Sequence, residues 1–229
     1  MNILNEPHIH QKFDEELQLL HNHVCKMGDL VLSQLCLALE SLREKNLQLA
    51  NETIRHETEV NKFEVTIDTE IFQILAKRCP IASDLRAVMT ASRVVNNFER
   101  IGDEAAKIAN FVLYLHNEDG HDPDQCQLAD VFKLGKMAVE ILRDTLSAFE
   151  SLDENKASEI DGYQSGLTQA FLDSLHGLMD RFREDKQSVG NSVIVSLILK
   201  ALENIGIHAR DIAEGIIFQV SGKDLRLTH

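Results

Sequence analysis

Four residues, Glu57, Asn61, Glu99 and Asp103, form two pairs at i, i+4 spacing on either side of Pro80. On a helix that spacing puts both members of a pair on one face. If the chain reverses at Pro80, Glu57 lies opposite Asp103 and Asn61 opposite Glu99, each pair equidistant from the turn. Extending the two faces adds Glu64 and Asp68 on the first helix and Ser92 and Asn96 on the second. Five of these eight residues are carboxylates and none is Lys or Arg. Like charges at i, i+4 destabilise a helix, and facing carboxylates on a packed neighbour add to the cost. Such a face calls for a cation, a shared proton or full solvation. Carboxylate and amide oxygens suit Mg, Ca and Mn, or Fe and Zn with nitrogen or water completing the shell. The expected metal ligands are therefore Glu57, Asn61, Glu99 and Asp103, with Glu64 and Asp68 as additional donors. A solvated acidic face is the alternative open to the same residues.

The same construction around residues 185 and 186 pairs Gln164 with Ile207 and Thr168 with Glu203. The extended face adds Phe171, Leu175, Ser196 and Lys200, so one carboxylate remains with a lysine beside it. No metal is expected there, and the apolar members could be core or contact surface. Elsewhere the chain lacks a helical Glu-x-x-His pair of the di-iron kind; Glu118-Asp-Gly-His121 has the spacing but falls in a polar loop around Pro123. His56 and His208 neighbour the two faces, and hydrogen bonding is the commoner fate of such histidines. There is no P-loop, G-x-S-x-G or GxGxxG. Asp84 and Arg86 read most simply as a cap and a local ion pair at a helix start.

The elements that carry these faces are helical. Phe13, Leu17, Leu20, Val24, Met27 and Val31 recur at alternating four and three residues, and Ala91, Val94, Phe98, Ile101, Ala105, Ile108, Val112 and Leu115 do the same. Ile54, Val60, Phe63, Ile67, Ile71 and Ile74 mark a helix between them. The pattern then repeats. Ala38-x-Glu40-Ser41-Leu42 returns 110 residues later as Ala148-x-Glu150-Ser151-Leu152, and Glu99-x-Ile101-Gly102 returns 104 later as Glu203-x-Ile205-Gly206. The reading is an all-α protein of two repeated antiparallel three-helix bundles, 1–118 and 119–229. Its six long helices are expected at 8–46, 47–79, 82–117, 125–153, 155–185 and 188–221.

Composition supports this and narrows function. Three prolines and eleven glycines in 229 residues argue against a sandwich, a barrel or a disordered chain. A net charge of −14 repels nucleic acid and anionic lipid, which favours cations and basic protein surfaces as partners. Cys25, Cys36, Cys79 and Cys126 show no zinc spacing, and Cys25 and Cys36 lie too far apart on one helix to bond. The N-terminus lacks the features of a signal peptide, and the apolar run Val193–Leu199 stops at Lys200, so a cytoplasmic location is expected.

The stretch Ala76-Lys77-Arg78-Cys79-Pro80-Ile81-Ala82-Ser83-Asp84-Leu85-Arg86, followed by Glu99-Arg100-Ile101-Gly102-Asp103, closely resembles the PhoU family, and the resemblance extends over nearly the whole chain. It implies two three-helix bundles and a homodimer. It also implies a non-enzymatic role in negative regulation of phosphate import and of the phosphate-starvation response. The implied partners are the phosphate ABC transporter's ATPase subunit and a sensor histidine kinase, met at the cytoplasmic face, with no direct membrane or nucleic-acid contact. The family's paired acidic motifs imply Fe, Zn, Mn or Mg at Glu57, Asn61, Glu99 and Asp103. The second set, Gln164, Thr168, Glu203 and Ile207, departs at three of four positions. Two other readings are a metal-free scaffold docking a basic partner and, ranked last, a carboxylate-metal hydrolase or redox enzyme.

Overall fold

A computed structural model describes the backbone at residues 6–117, 125–184 and 189–224, and side chains over all but the ends of these segments. It contains six helices: α1 (Glu6–Glu44), α2 (Leu47–Arg78), α3 (Ala82–Asn117), α4 (Gln125–Ser151), α5 (Glu154–Glu184) and α6 (Val189–Ser221). Each bound agrees with the sequence reading to within two residues. The all-α class and the two three-helix units, α1–α3 and α4–α6, are as expected. The boundary at 118/119 and the Glu118–His121 stretch lie outside the described residues.

The turns show why the helices stop where they do. α1 ends on Lys45 in the left-handed region (φ 52°), and the Asn46 N–H donates to the Ser41 carbonyl at 2.9 Å. Asn46 then caps α2, its side-chain oxygen accepting from the N–H groups of Gln48 and Leu49. The second unit repeats this. Leu152 is left-handed (φ 49°), the Asp153 N–H donates to the Ala148 carbonyl at 3.0 Å, and the Asp153 carboxylate accepts from the N–H groups of Asn155 and Lys156. Each is a helix C-terminus closed by a six-to-one bond and followed at once by an N-cap. Cys79 ends α2 in the left-handed region (φ 47°), and Pro80 prevents its continuation.

These turns correct the register of the first repeat. Ser41 corresponds to Ala148 and Asn46 to Asp153, an offset of 107 residues and not the 110 read from matching letters. Packing confirms it. A side chain at Gly28 of α1 would collide with Leu146 of α4, and one at Gly135 of α4 would meet Leu39 of α1 at 2.7 Å. Both residues of one contact map onto the other at 107. Three residues is close to one helical turn, so the slipped match kept most apolar letters aligned, although it carried buried Leu42 onto exposed Leu152.

The buried side chains form one continuous cluster drawn from all six helices. α3 and α6 lie at its centre and pack against each other antiparallel. Thr90 donates to the Gly215 carbonyl, Asn97 pairs with His208, and Asn204 donates to Glu104. Arg86 also takes part, reaching the Gln219 carbonyl at 3.4 Å, so it ties the two units together and forms no local ion pair among the described residues. α6 taken over Gly190–Ser221 is long and apolar enough by composition to cross a membrane, which the break at Lys200 concealed. The reason is its central place: 56% of its most apolar stretch is buried inside the bundle, against α3, α4 and α5.

Candidate functional site

The close approach of α2 to α3 builds the first face, and a glycine permits it. Gly102 lies under Val60, where an added Cβ would stand 3.5 Å from Val60 and 3.1 Å from the Gln34 side-chain oxygen. Gly206 holds the same place in the second unit, under Leu167, where the gap would be 2.5 Å. Val60 and Leu167 are again 107 residues apart. The Ile-Gly of each motif thus supplies a buried isoleucine and a backbone bare enough for the neighbouring helix to approach.

On this frame Glu99 of α3 lies within the field of Glu57 and Glu64 of α2, and Glu64 within that of Asp103. Glu57, Glu64, Asp68, Glu99 and Asp103 are half-buried, while Asn61 is exposed. The Glu99 carboxyl is raised above its usual range, first by burial, then by Asp103 and Glu64, with Glu57 adding and Arg100 opposing. Glu64 is raised by burial, then by Asp68 and Asp103. The carboxylates of both helices therefore lie within one another's fields. None of the five forms an ion pair among the described residues. Among those residues no three His, Cys, Asp or Glu side chains are gathered closely enough to hold a metal ion as they stand. The donors still fit a hard divalent cation: all are oxygens, and they carry unneutralised negative charge that burial makes costly.

The second-unit face carries its own cation. The Lys200 ammonium donates to the Glu203 carboxylate at 2.5 Å and sits 5.6 Å from the Phe171 ring centre. Thr168 donates to the other Glu203 oxygen at 3.1 Å and accepts from the Gln164 amide at 2.8 Å. One buried carboxylate is met by one ammonium and one hydroxyl. Ile207 adds no donor. Phe171 and Leu175 pack against the core, half-buried.

Of the two flanking histidines, His208 is held by Asn97 at 3.2 Å and its pKa is lowered, chiefly by burial. The Nδ1 of His56 is buried with no hydrogen-bond partner among the described residues. Sequence reasoning missed the polar seam between α3 and α6, although Arg93, Asn97, Arg100 and Glu104 recur at four-three-four spacing like an apolar stripe. Only pairing α3 with α6 gives that stripe a partner, and no short turn joins those helices.

A model of the PhoU domain matches this chain twice, over residues 24–112 and 131–216, one match in each three-helix unit. The chain belongs to the PhoU family. Among PhoU relatives, the phosphate-specific transport system accessory protein PhoU homolog of Pseudomonas putida is 36% identical over 219 residues, spanning 96% of this chain and 84% of that one. The accessory protein PhoU of Escherichia coli K12 is 33% identical, spanning 99% and 92%. The crystal structure of PhoU from Pseudomonas aeruginosa superposes with a TM-score of 0.87 at 33% identity, covering 92% of this chain and all of that one. That of the phosphate transport system regulatory protein PhoU from Streptococcus pneumoniae gives 0.84 at 26%.

Proposed function

We propose that this chain is a non-catalytic PhoU-type regulator that restrains phosphate import and the phosphate-starvation response through protein contacts. The observation that carries this is the match of both three-helix units, in sequence and in architecture, to proteins named for phosphate-specific transport. A long helical bundle offers extended faces for partner proteins. The partners are the phosphate ABC transporter's ATPase subunit and the phosphate sensor histidine kinase, met in the cytoplasm by a homodimer of this chain.

The carboxylate face belongs to this reading as a candidate divalent metal site in the first repeat. Glu57, Glu64, Asp68, Glu99 and Asp103, with the Asn61 amide oxygen, would hold Fe, Zn, Mn or Mg. The ion's contribution would be to neutralise the charge that raises Glu64 and Glu99. Without a metal, the same face is a negatively charged dock for a basic partner surface.

The test is co-purification of the full-length chain with the ATPase subunit and the kinase from cells of its own species. Capture of either partner supports the adaptor role, and capture of neither under replete phosphate contradicts it. Plasma mass spectrometry of tag-free protein beside a Glu99→Gln/Asp103→Asn variant decides between metal site and bare dock. About one or more divalent ions per chain, lost in the variant, supports the metal site. No metal after supply of Fe, Mn, Zn and Mg leaves the dock.

A further inference from the structure

We propose that the cleft between α3 and α6 binds inorganic phosphate as its hydrogen-phosphate ion. The cleft has a volume of about 510 Å³ and is bordered by Arg93, Asn96 and Arg100 from α3 and by Arg210, Asp211 and Glu214 from α6. Three guanidinium groups share it with three carboxylates, Asp211, Glu214 and Asp224, in a chain of net charge −14.

These guanidinium groups are not committed to tight pairs. Arg210 makes two loose ion pairs, its Nη2 3.6 Å from Asp211 and its buried Nε 3.6 Å from Glu214, and that Nε has no hydrogen-bond partner among the described residues. Arg93 is stacked over the Phe218 ring at 5.5 Å. Arg100 has no carboxylate within ion-pair distance among the described residues. Guanidinium forks match tetrahedral oxyanions in pairs of parallel hydrogen bonds.

The carboxylates in the same cleft choose among oxyanions. Hydrogen phosphate presents acceptor oxygens to the arginines and one O–H that needs an acceptor. Asp211 and Glu214, ionised, only accept. Sulfate has no proton to offer and is repelled by them, and a phosphate monoester dianion meets the same objection. A bound ion would touch both repeats and so clamp α3 to α6, which is how occupancy could alter surfaces seen by partners. The inference deepens the regulatory reading and rests on it for its biological meaning; binding itself is measured apart from it.

The experiment is equilibrium dialysis of radiolabelled inorganic phosphate against the full-length protein, kept in a chelator so that no metal recruits the anion. The expected result is one saturable site per chain, not displaced by an equal concentration of sulfate or of phenyl phosphate. Arg100→Gln and Arg93→Gln, both at exposed positions and checked by circular dichroism, each weaken binding roughly ten-fold, the loss of one charge-assisted hydrogen bond. Asp211→Asn lets sulfate compete. Absence of saturable binding, equal competition by sulfate in the unaltered protein, or full binding in both arginine variants would overturn the proposal. In cells, Arg100→Gln is expected to impair repression of phosphatase in replete phosphate. Normal repression by a variant that has lost phosphate overturns the cleft's sensing role and leaves the regulator standing. A gene deletion without effect sinks the regulator and leaves the dialysis result intact.

Discussion

Glu203 and Glu99 occupy equivalent places in the two repeats and have opposite electrostatic surroundings. Glu203 has Lys200 and Thr168, whereas Glu99 has Asp103, Glu64 and Glu57. Removing Lys200 strands a buried carboxylate, so Lys200→Met is expected to destabilise the protein by about 1–3 kcal/mol at pH 7. Chemical denaturation measures this, and an unchanged midpoint would contradict it. Glu99 gives the reverse sign. Its folded pKa lies above the unfolded 4.5, so the folded state holds the proton more tightly. The stability lost to its charge is greatest above the folded pKa and is recovered as pH falls through it toward 4.5. Glu99→Gln should therefore raise the melting temperature of chelator-treated protein near pH 7, with the gain shrinking toward pH 4.5. A melting temperature lowered by Glu99→Gln would show that the carboxylate is already satisfied. The contrast between the two glutamates is legible in the sequence, because carboxylates and lysines on a helical face can be counted from spacing alone. The fate of the histidines is not, since a hydrogen bond such as His208 to Asn97 depends on which helices meet.

At the scale of elements, caps and bare-backbone crossings set the helix lengths and spacings. Asn46 and Asp153 each satisfy two backbone N–H groups at a helix start. Asn46→Ala and Asp153→Ala are each expected to cost about 1 kcal/mol, read by urea titration, and losses well below that would mean the turns are fixed by packing. Gly28 and Gly135 admit a leucine from the opposite repeat. Gly28→Ala would place a methyl against both Leu146 and Phe98, and the overpacking should outweigh the better helix propensity, for a net loss of about 1–2 kcal/mol. A stabilised variant would show that those side chains can move aside. Helix extents are readable because the apolar period runs through eight successive positions in α3, and each of those residues is buried. The repeat offset is not, since a shift of nearly one turn keeps most apolar letters matched. The turns at Asn46 and Asp153, together with the reciprocal contacts of Gly28 and Gly135, distinguish 107 from 110.

For the whole molecule, the continuous core makes the two repeats mechanically dependent. α3 and α6, each the third helix of its unit, bury their apolar faces within one cluster. Unfolding followed by helix circular dichroism and by a probe attached in either repeat is expected to coincide in one transition. Separate transitions would mean that each repeat stands alone. The same coupling gives a regulator a way to pass a signal from one face to another, because a change at the α3–α6 seam is felt in both units. The seam is illegible in the sequence: its partners, such as Asn97 and His208, are separated by 111 residues. The central claim is regulatory, and the direct measurement is alkaline phosphatase activity in phosphate-replete cells with this gene deleted and then restored. The account expects phosphatase to rise on deletion and to fall again when the intact chain is supplied. Phosphatase that stays low without the gene would contradict it.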